Sequence, residues 1–314
     1  MLLDEIPIGF ARTVAIIFGL LWGSFLNVVI YRVPRDMSVV RPPSHCPSCG
    51  KPVKPYDNIP ILSFLILRGR TRCCKTKMSV RYPIVEALGG LAAWAVFDSA
   101  IAGLPGETGA LRFLGLFLAN FALALSLIAA AFIDAEHMFL PDEITLGGTA
   151  LGLATFWLRD MSLVSSLGGA VLGFLVVYVP FILLYKMIRG FAGMGLGDAK
   201  LLMLAGAWFG WEGALFVLFA GAIQGTLGTI VILLTKGKIE EPEAVRADRE
   251  EIERLAKEGD ADALEMMQED PLMDENAKGK ARIPFGPFLI LACLEILLAG
   301  DRIFAAIATR LLPT

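Results

Sequence analysis

Charged residues are scarce in this chain of 314 residues. Asp, Glu, Lys and Arg make up 19% of the residues, 56% are hydrophobic, and the mean hydropathy is +0.65. A soluble domain of this size needs a charged surface around its core, and this composition does not supply one. The scarcity of charge therefore indicates a membrane protein.

The beginning of the sequence lacks the features of a cleavable signal peptide. Asp4 and Glu5 stand where a positively charged segment is expected. No small-residue cleavage site precedes the basic stretch that follows the first apolar run. We therefore expect the first apolar run to remain as a membrane anchor.

Apolar runs of about 18 residues or more recur along the chain, the length needed to cross about 30 Å of hydrocarbon. We predict an all-α polytopic membrane protein with about eight transmembrane helices. The predicted spans are Val14–Ile30, Pro83–Ile101, Phe113–Ile133, Ile144–Trp157, Leu163–Tyr185, Leu201–Phe209 continuing toward Trp211, Gly213–Thr235 and Phe285–Ala299. The spans that begin at Ile144 and Leu201 are short, so neighbouring helices must bury them to keep their backbone groups from lipid.

Basic residues are concentrated in alternate loops. Eleven Lys and Arg lie in Tyr31–Arg81, and a second loop is flanked by Lys186, Arg189 and Lys200. Loops rich in Lys and Arg stay on the cytoplasmic side of a membrane. We therefore expect these loops to be cytoplasmic and, with eight spans, both chain termini to lie outside.

Two polar stretches interrupt the apolar pattern. Tyr31–Arg81 is rich in Pro, Cys and basic residues. It is too short to form a stable core without a cross-link such as a disulfide or a bound metal ion. Lys236–Arg282 carries fifteen Asp and Glu against nine Lys and Arg. Within it, Ala244–Met267 is predicted to form a solvated helix that acts as a spacer, the alternative being attraction of basic substrate segments.

These stretches divide the chain into five predicted regions. They are a first transmembrane anchor (1–31), a cytoplasmic Cys-rich domain (32–82), a membrane core (83–235), an acidic cytoplasmic insertion (236–282), and a last membrane span with the C-terminus (283–314). The Cys-rich domain is expected to be loop-rich and to resemble a zinc knuckle.

Four of the five cysteines lie in the Cys-rich domain. Cys46 and Cys49 are separated by two residues and followed by Gly50, a spacing that lets two thiolates point at one ion. A reducing cytoplasm argues against disulfides. The second pair, Cys73 and Cys74, is adjacent, and neighbouring side chains usually diverge.

We predict a Zn²⁺ site formed by Cys46, Cys49, Cys73 and Cys74. Free or redox-active thiols are the alternative, and His45 is a possible substitute ligand. Cys293, in the last predicted span, is interpreted as a small apolar helix residue.

Two aspartates lie where predicted membrane spans meet the loops. Asp134 ends the third span, and Asp198 follows a segment with three glycines, Gly193–Gly197. Charge is costly at membrane depth, so such residues usually have a function. Two facing carboxylates share one proton, an arrangement that hydrolyses peptide bonds. The glycines allow the close approach that this chemistry needs.

The residues alone leave some of these assignments open. Near Asp134, Glu136 and His137 are alternatives for the catalytic group. Asp142 follows Leu-Pro at the start of the next predicted span and is interpreted as a helix cap.

Six sequence blocks follow one another along nearly the whole chain. They are Gly23–Arg32, Cys46–Cys49 with Asn58–Pro60, Arg81–Glu86, Ile133–Asp134 with Leu140–Asp142, Gly193–Lys200 and Pro284–Leu289. Together they resemble the bacterial type IV prepilin peptidases, also called leader peptidase/N-methyltransferases, a family of GxGD aspartyl peptidases.

The resemblance implies an enzyme of the bacterial inner membrane that acts on prepilins and type II secretion pseudopilins. Such enzymes cleave the leader on its cytoplasmic side, between Gly and usually Phe, and then methylate the new N-terminus with S-adenosylmethionine. The resemblance also assigns catalysis to Asp134 and Asp198, and suggests roles for Asn27, Arg32 and Glu86. The partners expected are these substrates and the lipid bilayer, with no nucleic acid.

Two features depart from the family pattern or leave it incomplete. The family's second cysteine pair is usually spaced by two residues, and Thr71 stands here where the first of that pair is expected. No glycine-rich dinucleotide fingerprint is visible, so the sequence does not place the S-adenosylmethionine site.

Two other functions remain as alternatives. A presenilin-like intramembrane protease would share the Gly-Leu-Gly-Asp motif, but it would also carry a Pro-Ala-Leu triplet, which this sequence lacks. A transporter or non-enzymatic assembly scaffold would use the aspartates to carry protons.

Overall fold

The computed structural model describes residues 7–46, 48–239, 242–260, 263–264 and 283–311. Within these ranges the chain forms helices and no strands, which confirms the predicted all-α class. The helices are α1 (Ile8–Arg32), α2 (Leu62–Ile66), α3 (Arg81–Gly103), α4 (Ala110–His137), α5 (Asp142–Ala154), α6 (Leu163–Val177), α7 (Tyr185–Arg189), α8 (Leu196–Lys236), α9 (Glu243–Glu258) and α10 (Gly286–Leu311). A π-helical segment, Tyr178–Leu184, joins α6 to α7.

Among the described residues, five helical stretches are long and apolar enough to cross a membrane. They are Ile8–Arg35, Arg81–Gly103, Ala110–His137, Leu163–Arg189 and Leu196–Lys236. The chain is therefore a multi-pass membrane protein. The predicted count of eight spans is not confirmed, because α5 has only 13 residues and extends about 20 Å. The apolar part of α10, Gly286–Gly300, is also shorter than these five.

The chain folds into two compact parts. The first consists of Met1–Ala129 with Leu294–Thr314. In it α1 packs closely on α3, where a Cβ atom added at Gly23 would lie 2.8 Å from Glu86 Cα. Further along α3, the ring of Phe97 packs edge-on against the rings of Phe113 and Phe117 in α4.

The Cys-rich segment of this first part is mostly loop, as predicted. It contains the short helix α2 and two isolated β-bridges, His45 with Pro52 and Arg70 with Lys77. A 3-10 turn, Pro55–Asp57, lies between the two bridges.

The second part, Ala130–Cys293, is organised around a break in α8. Gly210 has φ 72° and ψ −176°, which no residue inside a helix adopts and which glycine allows. A Cβ atom added at Gly173 would meet Leu202 O and lie 3.3 Å from Ala214 Cβ. Leu202 and Ala214 therefore both lie next to Gly173. In a straight helix these two residues, which are twelve positions apart, would be separated by about 18 Å. The helix therefore folds back at Gly210.

We call residues 196–209 the first arm of α8 and residues 211–236 its second arm. These arms correspond to the predicted spans on either side of Glu212. The first arm is covered by protein, and six of its side chains are 0% exposed: Ala199, Leu201, Leu202, Leu204, Ala205 and Ala207. The expectation that neighbours bury this short segment is confirmed.

Helix α6 covers the first arm by backbone contact. A Cβ atom at either Gly169 or Gly206 would collide with the backbone of the other residue. Ser166 Oγ donates a hydrogen bond of 2.6 Å to Ala207 O. Small residues allow such close approach between membrane helices, where van der Waals packing replaces the hydrophobic effect.

The acidic insertion contains a helix, as predicted. Helix α9 covers Glu243–Glu258, close to the predicted start at Ala244. The predicted end at Met267, and residues 265–282 of the insertion, lie outside the described residues.

The contact between Gly169 and Gly206 leads to a testable difference between neighbouring glycines. We expect Gly169→Val to destabilise the protein by at least about 1–3 kcal/mol, because the side chain must enter the α8 backbone. Gly168→Val is the matched control, since nothing lies within 4 Å of a Cβ atom there. Thermal unfolding of the two variants in the same detergent checks this, and equal midpoints would contradict the packing described.

Candidate functional site

Four cysteines form a cluster in the Cys-rich segment. The Sγ atoms of Cys46, Cys49, Cys73 and Cys74 all lie within 4.8 Å of one another. Cys46 Sγ is 3.6 Å from Cys74 Sγ, Cys49 Sγ is 3.4 Å from Cys73 Sγ, and the two adjacent sulfurs are 3.8 Å apart. The expected divergence of the adjacent side chains is therefore not observed.

Two similar turns bring these sulfurs together. In the first, Cys46 N donates to Lys51 O at 2.8 Å, and Gly50, with φ 68°, donates to Cys46 O. In the second, Thr71 N donates to Thr76 O at 2.9 Å, and Lys75, with φ 59°, donates to Thr71 O. Thr71 thus occupies the position of Cys46, and Cys74 that of Cys49.

The extra sulfur of the cluster comes from Cys73. It lies next to Cys74 within the second turn and 3.4 Å from the sulfur of Cys49 across the cluster. Thr71 still reaches the cluster, because its hydroxyl is 3.3 Å from Cys74 Sγ. The second turn therefore places a hydroxyl where the first places a thiol, and Cys73 completes a set of four.

The cluster has the geometry of a zinc site, and two of its thiols have a lowered pKa. Four thiolates at about 2.3 Å from a tetrahedral Zn²⁺ are about 3.8 Å apart, close to the distances observed. Hydrogen bonds with the hydroxyls of Thr71 and Thr76 lower the pKa of Cys74 to about 5. The backbone N–H of Ser48 lowers the pKa of Cys46. Both effects favour the thiolate, the form that binds metal.

The family resemblance alone suggested roles for Asn27, Arg32 and Glu86. Their side chains form hydrogen bonds that connect the Cys-rich segment and its flanking helices. Arg32 donates hydrogen bonds to Ser38 O and Pro42 O at 2.9 and 2.7 Å. Glu86 Oε2 accepts one of 2.7 Å from Ile61 N. Asn27 Nδ2, within α1, donates to Tyr82 O on α3. Each side chain is buried, so the contacts fix how this segment leaves and re-enters the helices.

Asp134 lies near the C-terminal end of α4 and is 6% exposed. The backbone of Gly286, the first residue of α10, lies against its carboxylate, and a Cβ atom there would be 2.5 Å from Oδ2. Oδ2 has no hydrogen-bond partner within the described part of the chain. A buried carboxylate oxygen without a partner is costly, so Asp134 is held in a position that folding alone does not favour.

Asp198 lies in the first turn of α8 and is half-buried. Gly195 caps this helix, and a Cβ atom there would be 3.4 Å from Asp198 Oδ2. Gly197, the residue before Asp198, packs on Leu140, which lies just after α4. These contacts bring Asp198 close enough to Asp134 for the two carboxylates to interact electrostatically.

Asp142 has a different partner. It lies in the first turn of α5, where it forms an ion pair with Lys200 at 2.6 Å and makes no capping hydrogen bond. The interpretation as a cap is therefore replaced by that of an ion pair linking α5 to α8. The ring of His137 packs edge-on against that of Phe139, with centroids 6.3 Å apart. Glu136 is half-buried on the same turn.

Gly286 is the site residue to which the sequence alone gave no role. It belongs to the Pro284–Leu289 block, which contributed to the resemblance without a function. A glycine between Phe and Pro at the start of an apolar helix was the available signal. Its importance depends on a contact with Asp134, 152 residues earlier in the chain, which no local pattern reveals.

The described part of the chain is thus that of a multi-pass helical membrane protein in which two aspartates at helix ends interact. Residues 17–99 match the model of the bacterial peptidase A24 N-terminal domain, and residues 121–230 match that of the type IV leader peptidase family. Together with the relatives below, these matches show that the chain belongs to the type IV leader peptidase family.

Several curated proteins are similar over most of the chain, and each is called prepilin leader peptidase/N-methyltransferase. The protein of Burkholderia pseudomallei strain 1026b is 36% identical over 76% of this chain and 82% of its own length. That of Myxococcus xanthus is 35% identical over 90% and 89%, and that of Pseudomonas aeruginosa 32% identical over 92% and 90%. No solved structure matches the chain. Neither a presenilin-like protease nor a transporter receives support.

Proposed function

We propose that this protein is an aspartyl endopeptidase that removes the leader peptide of type IV prepilins and type II secretion pseudopilins and then methylates the new N-terminus. The interaction of Asp134 with Asp198 carries the peptidase assignment. Membership of the leader peptidase family, and the name shared by the relatives, support both activities.

Hydrolysis uses the two aspartates in complementary states. The ionised carboxylate takes a proton from water as the water oxygen attacks the scissile carbonyl carbon. The protonated carboxyl donates its proton to the carbonyl oxygen, giving a neutral tetrahedral intermediate. Collapse of this intermediate breaks the C–N bond, and a proton passes to the leaving amine. A pair of facing carboxylates supplies both roles.

The surroundings of the pair suit this chemistry. Gly286 and Gly195 place backbone rather than side chains beside the two carboxylates, and a Cβ atom at Gly286 would collide with the carboxylate of Asp134. Oδ2 of Asp134 is buried and makes no hydrogen bond within the described part of the chain, so it keeps its capacity to accept a proton or a hydrogen bond. Burial by the surrounding helices strengthens electrostatic interactions inside the site.

We assign the site to the cytoplasmic face of the bacterial inner membrane. The eleven basic residues of Tyr31–Arg81 support this orientation through the positive-inside rule. Both aspartates lie at helix ends on the same side as the basic loop around Lys200 in the predicted topology. The substrates are membrane proteins whose apolar segments share the bilayer with this enzyme.

The four cysteines are assigned to a structural Zn²⁺ site. The observed sulfur separations and the lowered pKa of Cys74 fit a closed tetrahedral site with no open position. Such an ion would hold together a segment too short to form a hydrophobic core. Methyl transfer would use S-adenosylmethionine, as the relatives' name suggests, and we assign no residue to that donor.

The aspartate pair is tested by three single substitutions. We expect Asp134→Asn and Asp198→Asn each to lower the rate of prepilin cleavage by roughly 10²–10⁴-fold or more, since either change removes one half of the proton transfer. Asp142→Asn should keep most of the activity, because its exposed pair with Lys200 contributes only about 0–1 kcal/mol. Leader release from purified prepilin in detergent is the measurement, and normal cleavage by either of the first two variants excludes the assignment.

The role of Gly286 is tested by the smallest possible side chain. Gly286→Ala should reduce cleavage at least tenfold, because the new methyl group displaces the Asp134 carboxylate. Gly147→Ala is the control, since a Cβ atom there meets nothing within 4 Å. If both variants unfold at the wild-type temperature and cleave equally fast, the contact between Gly286 and Asp134 has no part in catalysis.

The metal assignment is tested by zinc content and chelator competition. The wild type should carry about one zinc ion, Cys73→Ser should lose it to a chelator far more readily, and Cys293→Ala should behave as the wild type. Adding Thr71→Cys to Cys73→Ser should restore retention, because Thr71 occupies in the second turn the position that Cys46 has in the first. A zinc-free wild type rules out the site, and failure of the double variant rules out the equivalence of the turns.

A further inference from the structure

Helix α2 of the Cys-rich segment exposes an apolar face. Leu62, Leu65 and Ile66 are 55%, 63% and 72% exposed. Residues three and four positions apart lie side by side on a helix, so the three side chains form one continuous surface. Single exposed apolar residues are common, whereas a contiguous apolar surface usually marks a contact with another molecule or with a membrane. We call these three side chains the α2 face.

The opposite side of α2 is bound to the rest of the Cys-rich segment. Ser63 is buried, and its Oγ accepts a hydrogen bond of 3.0 Å from Ile59 N and donates one of 3.2 Å to Tyr56 O. The ring of Phe64 covers Gly69, where a Cβ atom would lie 3.2 Å from Phe64 Cζ. These contacts on the inner side fix the direction in which the α2 face points outward.

The start of α2 is held beside the membrane helix α3. Ile61 N donates a hydrogen bond of 2.7 Å to Glu86 Oε2, and Glu86 lies in the second turn of α3. Ile61 has φ 62°, which β-branched residues rarely adopt, so this contact holds a backbone conformation that the residue does not favour by itself. Side chains on a helix tilt toward its N-terminus. Ile61 therefore lies beside the first two turns of α3.

This level also lies within the length of α1. Tyr82, in the first turn of α3, accepts a hydrogen bond of 3.2 Å from Asn27 Nδ2. Asn27 is five residues before the end of α1 at Arg32, so α1 continues about 7.5 Å past this point. Both helices are long and apolar enough to cross a membrane. Helix α2 thus begins where two membrane helices approach the bilayer surface.

Basic side chains adjoin the α2 face. The segment Tyr31–Arg81 has eleven Lys and Arg and two Asp. Arg68, just after α2, and Arg70 are both exposed. The chain turns back directly after the helix, since Gly69 N donates to Phe64 O at 2.9 Å. An apolar surface bordered by arginines matches a bilayer with anionic headgroups, because the apolar side chains enter the lipid while the guanidinium groups stay at the phosphates.

We propose that the α2 face inserts into the interface of the bilayer and that Arg68 and Arg70 bind the anionic headgroups of its lipids. Both ends of the Cys-rich segment continue into membrane helices, which keeps the α2 face within reach of the bilayer. A protein partner fits less well, because a helix of five residues extends only about 7.5 Å, whereas a stable interface buries about 800 Å² on each partner. The inference does not depend on the peptidase activity.

Lipid crosslinking tests the proposal without an activity assay. A benzophenone amino acid replaces Ile66 in the full-length protein, which is reconstituted in phosphatidylcholine vesicles. We expect at least tenfold more phospholipid adducts than with the same probe at Val40, which is 77% exposed and belongs to the loop beyond the end of α1. Mass spectrometry of the labelled peptides measures the adducts. The probe at Leu62 repeats the test if the variant at position 66 does not fold.

The arginines are tested by lipid composition. In vesicles with equal amounts of phosphatidylcholine and phosphatidylglycerol, adducts at position 66 should contain phosphatidylglycerol at least about fivefold more often, because basic residues near the surface attract anionic lipids. Arg68→Gln with Arg70→Gln should bring the ratio of the two lipids close to one. Arg41→Gln with Lys51→Gln is the matched control and should keep the preference, since it removes the same charge from exposed positions elsewhere in the segment.

Three results would overturn the proposal. Adducts at position 66 that are no more frequent than those at position 40 would show that the α2 face lies in water. Crosslinks between two copies of the chain, or to an added prepilin in place of lipid, would show that protein covers it. Equal shares of the two lipids in the wild type would exclude headgroup binding by Arg68 and Arg70.

Discussion

The backbone contact between α6 and the first arm of α8 is the constraint on which the second part of the molecule depends. A helical arm of 14 residues cannot expose its ends to hydrocarbon, because its terminal N–H and C=O groups would lack partners there. Gly169 and Gly206 bring the two backbones together, and Ser166 adds a hydrogen bond to Ala207 O. With the first arm held in this way, Asp198 at its start is fixed in position, and the fold-back at Gly210 directs the second arm toward α10.

Much of this arrangement follows from local sequence. Long apolar runs define α1, α3, α4 and α6 to within a few residues at most ends, because the length needed to cross a bilayer is a strong constraint. The glycines before Asp198 marked that residue directly. The assignment of Asp134 depended on the family resemblance, because the adjacent residues Glu136 and His137 were equally possible catalytic groups.

The features that the sequence did not predict depend on contacts between distant residues. The count of spans was not confirmed, since α5 and the first arm of α8 are shorter than a bilayer, and apolarity alone does not distinguish a covered helix from a lipid-facing one. The contact of Gly286 with Asp134 and the convergence of Cys73 with Cys49 are tertiary. In the Cys-rich segment Cys73 and Cys74 both reach the cluster, against the general tendency of adjacent side chains to diverge, because the tertiary contact with Cys49 lies outside any local pattern.

The unequal helix lengths within the second part have a consequence for the surrounding lipid. Leu163–Arg189 is 27 residues long and extends about 40 Å, whereas α5, with 13 residues, extends about 20 Å, and the first arm of α8 is similar. Protein covers the first arm of α8, whereas α5 carries an exposed apolar side chain, Leu146. A bilayer adapts to a short lipid-facing helix by becoming thinner beside it. Thinning beside α5 would bring the water interface toward Asp142, its first residue, so the membrane would be deformed on the side of the protein where α5 begins.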